Sequence, residues 1–472
     1  MKSPIDTNIP ASNLIALHGS QLRFEDLDAD TIAAARLRVL DVLGCALGGT
    51  RATGCDALVA LAREEGGRCE ATIAGAHGLK VPAARAAMVN VIFARSYDYE
   101  VMGVLIEGRL IPSHHAATTV MTALALCEAR GLGGRELITA LVAGDDVAAR
   151  VLAASGLDFS QGWDGAATYA ALGATVTAGR LMGLTPGQMR HALGIVVDQI
   201  GGTIQNIWDG ATDFKLAQGT AARNAVLAAQ LAAGGWTGME DPLLGRFAFF
   251  RQYTAGCAEP DILVRDLGRR FWGGAYFKPY PACMATHVAI EATLGASQGQ
   301  VFALDAIESV VLRLPAPALA NFCAKPFEPR GCPHGDAIFS YRHMVACGLL
   351  RGGIAQPHYA EQMLRDPTLR ALAQRVDIQA LPAGATGAVL SLVLRDGRKL
   401  EGTATAPSRS PLVQHASVAE IEDKFRRQVA FSGVLDSADA DRLAEGVSLL
   451  EQHESLAPLA SLLAGSRRKE LA

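Results

Sequence analysis

From Asp28 to Ala233 the chain repeats one pattern, and that pattern narrows the fold more than any other feature. Small and aliphatic residues recur at three- and four-residue steps, a glycine or a Thr-Pro pair interrupts, and another such run follows. The run Asp28 to Gly49 closes on a glycine pair, and Pro82 to Ala94 carries proline in its first turn. Helical runs follow at His115 to Arg130, 133–154, 166–184 and 185–202, the last with Thr185 as an N-cap before Pro186. Ala221 to Ala233 is another, stopped by Gly234 and Gly235. A polar, glycine-bearing segment, Ser96 to Ser113, separates two of them. The spacing predicts a compact all-helical unit over the first 270 residues.

The pattern breaks at Phe271 to His287, FWGGAYFKPYPACMATH. Pro279 and Pro281 stiffen this stretch and keep a regular helix from starting before Ala282. A helix from there puts Cys283 and His287 four apart on one face, with Lys278 just ahead of it. Each of the three is a potential acid, base or nucleophile. Spacing alone equally allows a surface lysine, a buried cysteine and a core histidine. Beyond this stretch Ala306 to Leu314 and Gly387 to Arg395 read as strands, the second turning at Asp396-Gly397 into a hairpin. Strands mixed with helices over 274–410 make a second, α+β domain, and helix returns from Val418.

Composition removes several function classes. A net charge of −4 argues against a nucleic-acid partner. No run of eighteen apolar residues lacks a charge or a glycine, and the first twenty residues have no signal-peptide pattern, so neither a membrane span nor secretion is expected. The nine cysteines form no CxxC pair, which speaks against a zinc knuckle and for a reduced, cytoplasmic protein. The glycine-rich signatures of nucleotide sites are missing, so a nucleotide cofactor has no warrant.

Seven segments, in order, resemble the MmgE/PrpD family: DVLGCALGG (41–49), AGRLMGLTPGQMRHALGI (178–195), KLAQGTAARNAVLAAQLAAGGWTG (215–238), KPYPACMATH (278–287), DAIFSYRHMVACGLLRG (336–352), DPTLRALAQRV (366–376) and LRDGRKLEG ahead of DKF (423–425). The resemblance implies a mainly α fold: a large all-helical domain built from 1–273 and 411–472, with a smaller α+β lid domain, 274–410, inserted. It also implies a homodimer, no metal and no organic cofactor. The expected activity is a lyase acting on a small di- or tricarboxylic acid, with dehydration of the 2-methylcitrate dehydratase type first. An epimerase such as that for iminodisuccinate, or a cis-aconitate-type decarboxylase, is the alternative; a non-catalytic metabolite-binding member is a third.

Residue by residue, the resemblance places Asp98 of SYDYE, His115 at a helix start, Lys215, Lys278 and Asp164 in catalytic positions. Arg150, Cys283, His287 and His114, directly beside His115, would touch substrate. The spacing from Lys215 to Gly219 is one residue shorter than usual, and Asp164 in Gly162-Trp163-Asp164 stands where many members have histidine. Proton chemistry beside a carboxylate calls for cations and a base, which Lys215, Lys278, Arg150 and His115 would supply. An aspartate in the place of Asp164 needs burial or a neighbouring like charge to act as an acid near neutrality. The enzyme reading requires Asp98, His115, Lys215 and Lys278 to converge on one cleft.

Overall fold

The computed structural model describes residues 9–155 and 161–465, and its architecture is mainly α. The helices that matter for the site are α1 (Ala29–Gly49), α2 (Ala83–Arg95), α3 (His115–Arg130), α4 (Gly134–Ser155), α5 (Gly165–Leu181), α6 (Leu216–Ala233), α7 (Met284–Ser297), α8 (Tyr341–Arg351) and α9 (Val418–Ser432). Caps fix several starts: Asp28 accepts from the Thr31 N–H ahead of α1, and Ser417 accepts from the Glu420 N–H ahead of α9. Small side chains let the helices approach closely. A methyl group on Gly144 of α4 would meet the Gly173 carbonyl of α5 at 2.6 Å, so the crossing tolerates only glycine there. No helix among the described residues is long and apolar enough to cross a membrane.

One sequence expectation needs correction. The N-terminal part is not all-helical, because 96–113 contains a hairpin of β1 (Met102–Ile106) and β2 (Arg109–Ile111). Glu107 and Gly108 form its turn with φ of 50° and 75°, the left-handed pair that matches strand twist. Glutamate is an unusual residue for that conformation, which hid the turn. The third strand of this sheet, β3 (Gly274–Tyr276), pairs antiparallel with β1 through Met102↔Tyr276 and Val104↔Gly274. The Phe271 to His287 stretch is therefore stitched directly to the chain that follows α2.

The later strands form a four-stranded sheet of β4 (Ile307–Leu314), β5 (Val376–Ala380), β6 (Ala388–Leu394) and β7 (Lys399–Ala404) in the order β5-β4-β6-β7. Only β4 and β5 run parallel. Burial alternates along β6, where Leu390, Leu392 and Leu394 point inward, as one covered face demands. Helix α7 packs on β6 and β7 and against α8. The candidate site lies where α2, α3 and α5 meet the start of α7.

Candidate active site

The site is organised by the few residues after α2. Asp98 sits at φ 48°, in the left-handed region that aspartate enters more readily than most non-glycine residues, and bonds from its surroundings hold it there. Its carboxylate Oδ1 accepts from Arg95 at 2.6 Å and from Lys278 Nζ at 2.7 Å, and its carbonyl accepts a second bond from Lys278 Nζ at 2.6 Å. One residue on, the Tyr99 carbonyl accepts from Lys424 Nζ at 2.6 Å. Two further on, the Val101 N–H donates to Asp41 Oδ2 at 2.6 Å. Lys424 of α9 and Asp41 of α1 are themselves ion-paired at 2.6 Å, and both are buried. Burial pushes the Asp41 carboxyl up, against the pull of Lys424, and the carboxylate in turn raises Lys424. The segment is thus clamped from three directions by charge-assisted bonds.

That clamp presents Glu100 to His114. Glu100 is fully buried, and its Oε1 lies 2.8 Å from His114 Nδ1. Burial alone would raise Glu100, but His114 and Arg95 outweigh it and hold the carboxyl well below the usual carboxylate range. An ionised Glu100 fixes Nδ1 of His114 as the hydrogen-bonded nitrogen, so Nε2 is the one able to meet a substrate. The His114 backbone is pinned as well, its N–H donating to the Tyr169 hydroxyl at 3.0 Å and its carbonyl accepting from Gln218.

His114 opens on a cavity of 230 Å³ that Arg95, Asp98, Asp164, Tyr169 and Cys283 also line. Asp164 caps α5, accepting from the Ala166 N–H at 3.0 Å, and a bridge between Trp163 and Thr203 holds the turn before it. Burial raises the Asp164 carboxyl above its ordinary value, against the opposing pull of Arg95 and His114. Cys283 stands just ahead of α7, its N–H donating to the Ile338 carbonyl at 3.1 Å. A hydrogen bond with Cys323 lowers its thiol below the ordinary value, although burial opposes this. One small space thus gathers a histidine oriented as a base, a carboxyl pushed toward its acid form, a guanidinium and a thiol.

The sequence-selected residues divide clearly. Asp98, His114, Asp164 and Cys283 line the cavity. Lys278 is fully buried behind Asp98, spending two bonds on it, and does not line the cavity. His115 turns into the core, with Asp145 3.7 Å from its Nε2 and burial lowering its pKa, so it does not face the cavity. Lys215 points elsewhere too, bonding the Thr53 carbonyl at 2.8 Å and the Ser96 hydroxyl at 3.2 Å. Arg150 is a scaffold residue, bonded to Asp146 and to the carbonyls of Ile262, Arg265 and Arg270. His287 is likewise held between the Tyr276 hydroxyl at 2.7 Å and the Ala282 carbonyl at 3.1 Å. Of the four groups expected to converge, Asp98 and Lys278 are in direct contact, His115 and Lys215 face other partners, and His114 lines the cavity in the place expected of His115.

Sequence reasoning passed over Arg95, Glu100, Asp41 and Lys424. The available signal was ionisable residues inside otherwise apolar helical runs, which are costly to bury unless paired. Asp98, Glu100 and His114 lie close enough together to suggest a metal site. Asp98 Oδ1 is shared by Arg95 and Lys278 and Glu100 Oε1 is taken by His114, while Glu100 Oε2 is buried without a partner. A divalent ion there would face two fixed cations. Larger clefts of 490 Å³, beside Tyr99, Lys424 and Asp423, and of 630 Å³, beside Asp56, Glu361 and His334, also carry charged side chains.

A mainly helical protein with a buried acid–base cavity between its N-terminal helices and the start of α7 is the class that fold and site define. Models of the MmgE/PrpD N-terminal and C-terminal domains match residues 14–259 and 280–452, and the chain belongs to that family. It is 26% identical to the cis-aconitate decarboxylase of Homo sapiens over 98% of this chain and 96% of that protein. Identity to the cis-aconitate decarboxylase of Mus musculus is 27%, over 95% of this chain and 92% of that one. A third relative, the cis-aconitate decarboxylase of Aspergillus terreus, is 29% identical over 58% of this chain and 57% of its own.

Proposed function

We propose that the chain is a lyase acting on a small carboxylic acid by proton transfer next to the carboxylate, with dehydration as its reaction. The observation that carries this reading is the facing pair: His114, oriented by ionised Glu100, and Asp164, kept toward its acid form by burial, on one cavity with Arg95. Arg95 would hold the carboxylate and stabilise the negative charge that grows as the α-proton leaves. Nε2 of His114 would take that proton, and Asp164 would give one to the departing hydroxyl, so water leaves and a double bond forms. Lys278 and the Asp41–Lys424 pair serve as positioning residues that hold Asp98 to Val101 in place. The relatives' names support a lyase, and loss of CO2 would use the same acid to protonate the carbanion.

The test uses 2-methylcitrate, cis-aconitate and iminodisuccinate in deuterated water, with product NMR separating loss of water, loss of CO2 and α-exchange. For dehydration, turnover requires protonated Asp164, so the rate falls as pH rises through its raised pKa. In Asp164→Asn that alkaline limb disappears and the rate drops about 10²–10⁴-fold. An unchanged pH profile in this variant would remove Asp164 from the chemistry. Decarboxylation without dehydration would replace the assigned reaction.

A further inference from the structure

We infer that Asn321 is a specificity-determining residue of this cavity, its amide N–H groups receiving the second carboxylate of a di- or tricarboxylic acid whose first carboxylate lies on Arg95. This deepens the lyase reading and rests on its placement of a carboxylate at Arg95. Asn321 lines the cavity with Arg95, His114 and Asp164, but it comes from a distant part of the chain, just ahead of the one-turn helix Phe322–Ala324. Its Oδ1 accepts from the Cys323 N–H at 2.9 Å and so caps that turn. Its Nδ2 donates to no group among the described residues. Fixing Oδ1 also fixes the amide plane, and the N–H groups at its other end are what this side chain has left to offer a ligand.

The turn that carries Asn321 is well held. The Asn321 carbonyl accepts from the Ala324 N–H at 3.0 Å. Cys323 is buried beneath it and hydrogen-bonded to Cys283 at the start of α7. Phe322 packs edge-on against Phe339, with ring centroids 5.5 Å apart, and against Trp208 at 6.3 Å. A donor on so fixed a turn loses little freedom when a ligand arrives. Arg95 supplies the other end of the site. Its Nη1 is committed to Asp98 at 2.6 Å, its Nε is buried without a partner, and its Nη2 makes no hydrogen bond among the described residues. Arg95 thus keeps N–H groups for one carboxylate. A second carboxylate brought in beside the carboxyls of Asp98 and Asp164 needs a donor of its own to offset its lost water, and the free amide supplies one.

Capping alone would also account for an asparagine here, and one substitution separates the two roles. Asn321→Ser keeps a capping oxygen and removes the amide nitrogen without adding charge. Succinate and butyrate are unreactive probes of equal chain length that differ in the second carboxylate. Ligand-observed NMR titration at pH 7 should show the parent protein binding succinate at least about tenfold tighter than butyrate. In Asn321→Ser succinate binding should weaken at least about tenfold, while butyrate binding changes less than about twofold. Should the serine variant fail to fold, Asn321→Asp also caps and makes the same test, with a larger loss for succinate from the added charge. Equal affinity of the parent for the two acids, no binding of succinate, an equal loss for both acids, or a succinate affinity unmoved by the substitution would overturn the inference. Product NMR on the same preparation reports the lyase reading separately. Selective succinate binding in a protein with no turnover would sink that reading and leave the assignment of Asn321 standing.

Discussion

Replacing His114 with glutamine lowers kcat/KM by about 10²–10⁴-fold, the range expected for loss of a positioned general base, while the melting temperature barely moves. The same change at His115 does the reverse, leaving turnover nearly intact and costing stability. The two residues are adjacent, so the contrast isolates direction from position. His114 ends the loop before α3, lines the cavity and is oriented by Glu100. His115 is the first residue of α3 and is buried among core groups, with the Tyr169 ring at 6.5 Å. Steady-state kinetics and thermal melts of both variants decide the matter. Loss of activity in His115→Gln with retention in His114→Gln would reverse the assignment.

The second large effect belongs to a residue far from the reacting atoms. Lys424→Met leaves the Asp41 carboxylate buried without its counter-ion and costs about 3–5 kcal/mol of folding stability. The loss depends on pH in a fixed sense. Burial already raises Asp41 in the folded protein, and removing Lys424 raises it further. The folded variant then favours the protonated carboxyl. Its stability is retained below the ordinary carboxylate pKa and falls as pH rises through the elevated one. Denaturant titrations at several pH values measure this. The double variant Asp41→Leu/Lys424→Met should recover most of the loss, because no buried charge is then left alone. Activity should fall in Lys424→Met even where the protein is folded, since the Tyr99 carbonyl loses its 2.6 Å bond and the segment carrying Glu100 loosens. A variant as stable and as active as the parent would show that the clamp is dispensable.

Much of this fold can be read from the chain, and the reasons for the exceptions are physical. Helical periodicity locates α1, α2 and α4 to within a few residues, because one apolar stripe repeated over several turns is hard to mistake. The strands β4, β6 and β7 are legible from alternation and from the Asp396-Gly397 turn. The hairpin at Glu107-Gly108 is not, since its turn uses a residue that seldom adopts positive φ. At the site, the chemical types were legible and their directions were not. Whether His114 or His115 faces the cavity depends on where α3 begins, and helix ends are the least certain feature of a sequence. Lys278 looks like an anion holder in KPYP, but its anion is the protein's own Asp98. Asp41 and Lys424 each sit within a recognisable motif, yet their pairing joins helices from opposite ends of the chain, which no local pattern reveals.

The claim on which all of this rests is that the cavity of His114, Arg95 and Asp164 is where a substrate carboxylate sits. A crystal structure of the protein soaked with 2-methylcitrate tests it most directly. The predicted result is a carboxylate on Arg95 and the α-carbon toward Nε2 of His114. An acid bound instead in the cleft beside Lys424 and Arg409, with the His114 cavity empty, would contradict it.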